Sequence, residues 1–212
     1  MTEPRTDPLE PPEKPTPASG RKAPVPKQKK PGQYRVPPRK DRHGLIIVNT
    51  GDGKGKTTAA LGLLLRASGR DMRVAMYQFV KRMDDAGEHR AATRLGLEIL
   101  PLGAGCTLDR DDVRDDATLA QLGWEHCREL IAAGTYDVLI LDELTLPLSW
   151  GWIKVADVVN TLKARPVGTH IVISGRGAPD ALIEAADLVT DMRMIKHPYA
   201  ERGLRAQAGI DV

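Results

Sequence analysis

Nine consecutive residues, Thr50-Gly51-Asp52-Gly53-Lys54-Gly55-Lys56-Thr57-Thr58, restrict what this chain can fold into more than any other segment. The apolar run Leu45-Ile46-Ile47-Val48 precedes them, and the helix-like run Ala59-Ala60-Leu61-Gly62-Leu63-Leu64-Leu65 follows. Strand, glycine-rich turn and helix, in that order, make a phosphate-binding loop. Glycines let successive backbone N–H groups curl around a phosphate without Cβ clashes. The helix opening near Thr57 adds its positive dipole end. In such a loop Lys56 reaches the phosphates as a point charge, and the Thr57 hydroxyl ligates a magnesium ion. The pattern departs at one position, where Thr50 replaces the usual first glycine, and it carries an extra lysine, Lys54. A solvated glycine-rich turn is the bland alternative, but it would not need a strand on one side and a helix on the other. The segment predicts a nucleoside triphosphate site.

A second signal lies 85 residues beyond Thr57. Tyr136-Asp137-Val138-Leu139-Ile140-Leu141-Asp142-Glu143 is an apolar strand ending in two carboxylates. Asp142 can take magnesium directly or through a water, opposite Thr57. Glu143 can support the metal from further out or, in an ATPase, activate water. Asp-Glu pairs also cap helices, so it is the upstream phosphate loop that gives Asp142 its metal reading.

Between these landmarks short apolar runs alternate with helical patterns. Strands are predicted at Leu45–Asn49, Arg73–Val80, Glu98–Leu102, Val138–Asp142, His170–Ser174 and Leu188–Met194. Helices are predicted at Thr57–Ser68, Glu88–Leu95, Ala117–Ala133, Val155–Lys163 and Pro179–Ala185. This alternation predicts an α/β fold, a P-loop NTPase-like, mostly parallel sheet with helices on both faces. Thr50 then ends the first strand, Gln78 and Lys81 the second, Asp142 and Glu143 the fourth, and Ser174, Gly175 and Arg176 the fifth. Ligands of open α/β sheets bind outside the carboxyl ends of the strands. Polar groups from four strands therefore converge on one edge. The segment Gly103–Asp116 lacks a clear pattern and is expected to be a functional loop.

Residues 1–43 differ from the rest. They hold 11 of the 16 prolines, with 11 Lys/Arg against 5 Asp/Glu, a net charge of +6. The remainder, with 20 Lys/Arg against 23 Asp/Glu, is −3. The expectation is a disordered basic tail, too poor in large apolar residues to offset its ordering entropy, ahead of one folded domain over 44–212. Lys29-Lys30 and Arg39-Lys40 suit a nucleic-acid arm, but aromatic residues for base stacking are nearly absent, so no nucleic-acid partner is expected. A solubilising extension, or a flap that orders over ligand, is favoured instead. No apolar h-region precedes residue 45, and no run approaches the roughly 20 residues that span a bilayer. Cys106 and Cys127 are too few for a disulfide framework. A reducing cytoplasm is the expected compartment, with no membrane partner.

The residues do not advertise a general base, which suits a displacement driven by an external nucleophile. They also resemble a known family. The loop Thr50–Gly62 is similar to that of the P-loop type corrinoid adenosyltransferases. The likeness continues through Gln78-Phe79-Val80-Lys81, Gly87-Glu88, Leu141-Asp142-Glu143-Leu144-Thr145, Arg165-Pro166, Ser174-Gly175-Arg176-Gly177-Ala178-Pro179, Ala186-Asp187-Leu188-Val189-Thr190 and Lys196-His197-Pro198. It ends at Gln207-Ala208-Gly209-Ile210-Asp211. The resemblance implies transfer of the 5′-deoxyadenosyl group of ATP to the cobalt of a reduced corrinoid, with triphosphate as the other product. Lys54, Lys56 and Asp142 are then the catalytic candidates, and Thr57, Asp142 and Glu143 the candidate holders of Mg2+. Thr50–Thr58, Gln78, Lys81, Glu88 and Arg176 are the candidates for binding ATP and corrinoid. A flavoprotein reductant and a homodimer are further expectations that the residues themselves do not specify.

Three departures bear on the corrinoid side. Cys106 and Leu108 stand where the family reads Gly-aromatic-x-Trp. Met83-Asp84-Asp85-Ala86 lacks a Trp, and the last residue is Val212 instead of an aromatic. The expectation is intact ATP binding with altered corrinoid handling, and a small packing role for Cys106 in preference to contact with cobalt. Two other readings stay open on sequence. One is an ATPase or kinase with Glu143 as base, and the other is an ATP-binding regulatory module.

Overall fold

The computed structural model describes Pro38, Asp41 and residues 43–81, 86–103 and 114–210. The expected tail, apart from Pro38, Asp41 and His43, lies outside the described residues, as do Met83-Asp84-Asp85, Cys106, Leu108 and Val212.

Six strands form one parallel sheet: β1 (Ile46–Thr50), β2 (Val74–Gln78), β3 (Glu98–Pro101), β4 (Val138–Asp142), β5 (His170–Ser174) and β6 (Leu188–Asp191). Their order across the sheet is β3-β2-β4-β5-β1-β6. All five neighbouring pairs are parallel. The neighbouring strands β2 and β4 lead on in opposite directions across the sheet, β2 outwards to β3 and β4 back to β5, so the order switches beside their carboxyl ends at Gln78 and Asp142. Such a switch is where open α/β sheets place ligands.

The helices are α1 (Lys56–Ser68), α2 (Gly87–Leu95), α3 (Arg114–Ala133), α4 (Thr145–Ser149), α5 (Val155–Ala164), α6 (Asp180–Ala185) and α7 (Pro198–Arg202). Side chains alternate across each strand, so the sheet feeds two cores. Ile46, Val48, Leu139, Leu141, Ile171 and Ile173 pack with Trp124, Cys127 and Ile131 of α3, Val158 and Leu162 of α5, and Leu182 of α6. On the other face Val138, Ile140, Met76 and Val172 meet Ala60, Leu64 and Ala67 of α1. Each fully buried aliphatic side chain contributes about 1.5–3 kcal/mol. Cys127 belongs to the first core, and burial pushes its thiol up to about 12, so it is a packing residue and not a reactive one.

At the amino end of the strands, away from the phosphate loop, Arg165 acts as a clasp. Its guanidinium donates to the carbonyls of Gly44 (2.7 Å), Leu162 (2.8 Å) and Thr169 (3.1 Å). Asp187 lies 3.7 Å from the same guanidinium and accepts from the Ile46 amide at 2.8 Å. The Arg165-Pro166 and Ala186-Asp187 segments thus tie α5, β1 and the entry to β6 together. They hold the frame and are remote from the chemistry.

The predicted strands all form, and β4 and β5 have the predicted limits. Four corrections concern lengths and short elements. β6 ends at Asp191 instead of Met194, because Met192 turns its backbone onto the phosphate loop. α3 begins at Arg114, inside the segment expected to be loop. α4 and α7, five residues each, carry prolines and are too short to show a helical period.

Candidate active site

The phosphate loop links β1 to α1. Gly55, with φ 113°, precedes α1, and among the described residues no side chain caps the helix. The first-turn amides therefore face away from the helix with no side-chain acceptor, as an anion site needs. The far wall of the loop is backbone. The Met192 amide donates to the Thr50 carbonyl at 2.9 Å, and the Gly53 amide donates to the Met192 carbonyl at 2.6 Å. A Cβ on Gly53 would lie 2.6 Å from that carbonyl oxygen, so only glycine fits the close approach. Thr50, the departure from the usual pattern, is buried and its hydroxyl accepts from the Ala178 amide at 3.2 Å. It thereby pins the β5–α6 turn, which carries Arg176, against the loop.

Lys56 folds back over its own loop, its Nζ donating to the carbonyls of Gly51 and Gly53 at 2.6 Å each. Burial lowers its pKa, and the neighbouring charge of Arg176 lowers it further, against the opposing pull of Asp52, Glu143 and Asp142. Asp52, Lys54, Thr58 and Arg176 are exposed around it.

Asp142 is fully buried and is the hub of the site. Thr57 Oγ1 donates to it, 3.1 Å from Oδ1 and 3.3 Å from Oδ2. Ser174 Oγ donates to Oδ1 and Gln78 Nε2 donates to Oδ2 at 3.1 Å. Lys81 Nζ is 4.0 Å from Oδ2. The sheet register explains the convergence: Gln78 pairs with Asp142, and Ser174 ends the neighbouring strand. The end of β2 is itself anchored, because the Phe79 amide donates to the Asp142 carbonyl at 3.0 Å and the Leu102 amide to the Gln78 carbonyl at 2.8 Å.

Glu143 follows with φ 61°, its amide donating to Ser174 Oγ at 3.1 Å. Burial, then the Asp142 charge, raises its carboxyl pKa, although Lys81, Lys56 and Arg176 pull the other way. Gly175 passes directly over this bend. With φ 134° and Thr145 Oγ1 filling its Cβ position, it admits no side chain. Thr145 in turn donates to the Arg176 carbonyl at 2.7 Å.

The first turn of α2 completes the arrangement. Lys81 Nζ donates to Glu88 Oε1 at 2.8 Å. Burial alone would lower the Lys81 pKa, but the Glu88 hydrogen bond and the charges of Asp142, Glu88 and Glu143 outweigh it, so the net shift is upward. The next residue, His89, has Nε2 at 2.7 Å from Gln78 Oε1. His89 was not among the predicted site residues. Its only sequence signal was adjacency to Glu88. Ser174 was placed at the site edge but given no role, and Thr145 was also not among the predicted site residues. Every predicted site residue is described, and the structure gathers Thr57, Gln78, Lys81, Glu88 and Asp142 in one group joined by hydrogen bonds and the Lys81–Asp142 ion pair, with Glu143 and Lys56 beside it.

The chain is similar to known proteins over most of its length. Residues 42–212 match the family model described as ATP:corrinoid adenosyltransferase BtuR/CobO/CobP. A corrinoid adenosyltransferase from a Sinorhizobium species is 41% identical over 175 residues, 81% of each chain. One from Escherichia coli K12 is 36% identical over 177 residues, 84% of this chain and 90% of that one. One from Pseudomonas aeruginosa is 35% identical, covering 81% and 85%. Among solved structures, the flagellar accessory protein FlaH of Methanocaldococcus jannaschii matches with a TM-score of 0.52 at 12% identity, over 71% of each chain. That likeness concerns the fold alone.

Proposed function

The chain belongs to the ATP:corrinoid adenosyltransferase family, and from that premise we propose how its own residues carry out the transfer. It is a transferase that moves the adenosyl group of ATP to a corrinoid, in cobalamin biosynthesis. The readings as ATPase, kinase or regulatory module find no support among the relatives. The observation that carries the mechanism is the meeting of Thr57 and Asp142 at the uncapped head of α1, beside Lys56.

In the proposed step, cobalt(I) of the substrate attacks C5′ of ATP. A Co–C bond forms, the C5′–O bond breaks, and its electron pair leaves with triphosphate while cobalt becomes formally Co(III). No proton moves, so no protein base is required. What the protein supplies is charge and placement. The loop amides, Lys56 and Lys54 face the leaving triphosphate, where preorganised donors act most strongly. Arg176, held by Thr145 and by the Thr50–Ala178 hydrogen bond, flanks Lys56. Gln78, Lys81 and Glu88 order the carboxylate side. Positioning C5′ in line with cobalt contributes the rest.

Magnesium fits the donors present. Thr57, Asp142 and Glu143 offer oxygen alone, the ligand type that hard cation takes. Among the described residues no three His, Cys, Asp or Glu gather as a cage. A nucleotide-bound magnesium does not need one, since phosphate oxygens and water fill most of its shell. Bound there, it would neutralise phosphate charge.

Four finer readings belong with this proposal. A flavoprotein supplies the electron that makes cobalt(I). Residues 1–43 form a tail apart from the catalytic domain over 44–212. The protein works in the cytoplasm as a homodimer; no helix among the described residues is long and apolar enough to cross a membrane. Exposed apolar side chains on β6 and beyond it, among them Val189, Ile195 and Tyr199, support association of two copies. The test of the mechanism is incubation with ATP, magnesium and chemically reduced corrinoid. A light-sensitive Co–C product and triphosphate should appear together in equal amounts. Diphosphate or orthophosphate as the product would overturn the mechanism.

A further inference from the structure

Two consecutive residues of α2 each hold one side chain at the end of β2, and both of those side chains face the same oxygen, Asp142 Oδ2. Glu88 holds Lys81 and His89 meets Gln78. The direction of the second chain of bonds follows from chemistry. An ionised carboxylate only accepts, so the Gln78 NH2 must be the group that faces Asp142. Gln78 Oε1 then points at His89, and because a carbonyl oxygen only accepts, His89 Nε2 must carry a hydrogen. Gln78 is fully buried, so neither end of its amide can turn to water for a substitute.

We propose that His89 is a positioning residue for the magnesium–nucleotide site, acting through Gln78 on Asp142. This rests on the reading of Asp142 and Thr57 as the metal side of the ATP site. By donating to Oε1, His89 fixes the orientation of the Gln78 amide. With the donor gone, the amide is free to turn over, and Oε1 would then face Oδ2 with no hydrogen between two oxygens. Asp142 would rotate away, and the Thr57–Asp142 pair that receives the metal would lose its geometry. Ser174 still holds Oδ1, so the effect is a weakening and not a collapse. His89 touches neither nucleotide nor metal in this arrangement.

The test uses full-length protein and reads ATP affinity by calorimetry, with magnesium and with EDTA, so that corrinoid chemistry does not enter. His89→Leu should weaken ATP binding in magnesium by about 3–10-fold, the size of one ordinary hydrogen bond, and leave the EDTA value unchanged. His89→Gln, which keeps a donor, should stay within about twofold of wild type. In a Gln78→Leu background, His89→Leu should add nothing, since coupled residues fail to add. Equal weakening with and without magnesium overturns the proposal, as does full additivity with Gln78→Leu. Wild type that responds to magnesium beside a His89→Leu variant that matches it overturns His89 alone. Wild type whose ATP affinity ignores magnesium overturns the metal reading and this proposal with it. His89→Phe replaces His89→Leu if the latter does not fold. Loss of the fold in both would assign His89 to packing and overturn its role here.

Discussion

At Glu143 the backbone turns through φ 61° and carries the side chain into a half-buried position beside Asp142. Burial and that neighbouring charge raise its pKa above the ordinary carboxylate value. The native state therefore binds this proton more tightly than the unfolded chain does. Stability is lost as pH climbs from the unfolded value of about 4.5 through the raised native one. Glu143→Gln should raise the melting temperature at pH 7, and the gain should vanish below about pH 4. Thermal melts of both proteins across that range check it; a gain that persists in acid would show that the charge is not the cause. Lys56 and Thr57 make the opposite case, since they serve chemistry more than the fold. Lys56 satisfies only loop carbonyls that water could serve as well. Lys56→Ala and Thr57→Ala should each reduce kcat by about 10²–10³-fold, the typical loss of one preorganised donor. Melting temperatures should stay close to wild type, and steady-state kinetics beside melts would separate the two effects.

Among the elements, the ends of β4 and β5 carry the tightest constraint. Gly175 lies against Glu143 Cα and Thr145 Oγ1 with φ 134°. Gly175→Ala must strain the backbone and displace Thr145, costing roughly 1–3 kcal/mol, a drop in melting temperature on the order of 5 °C. Gly62, on an exposed position of α1 with nothing near its Cβ, predicts the reverse. Gly62→Ala should stabilise by about 1 kcal/mol through helix propensity. Chemical denaturation of the pair would read both signs in one experiment. The contrast also shows what a sequence can reveal. The six strands were legible because buried parallel strands are continuous apolar runs, and the phosphate loop because its chemistry needs glycines at fixed spacing. Thr57 and Asp142 followed from motif order, and Ser174 was visible as a polar strand end. The bond from His89 was not legible: it joins a helix to the end of a strand eleven residues earlier, and nothing local marks such a pair. The early stop of β6 was hidden for a similar reason, since Met192 leaves the strand to meet a loop some 140 residues away in the chain. Both depend on how distant segments meet.

For the whole molecule, charge divides the chain as sharply as hydropathy does. The formal +3 is the sum of a tail at +6 and a remainder at −3. The family match begins at residue 42, and the clasp that closes the amino end of the sheet begins at Gly44. The amides that lead into β1, those of Leu45 and Ile46, donate to His170 and Asp187. From the Pro-rich, apolar-poor composition of residues 1–35 we expect a chain beginning at Val36 to fold with a melting temperature within about 2 °C of the full protein. Its kcat at saturating ATP and corrinoid should be unchanged. Removing residues 1–35 takes away 8 Lys/Arg and 4 Asp/Glu, which moves the net charge from +3 to −1. Affinity for polyanions should fall with it. If KM for corrinoid rises while the melting temperature holds, the tail acts as a flap over substrate. If KM also holds, its role lies outside catalysis. A large fall in melting temperature would mean that the tail docks on the sheet, and the boundary at 43 would then have to move towards the N-terminus.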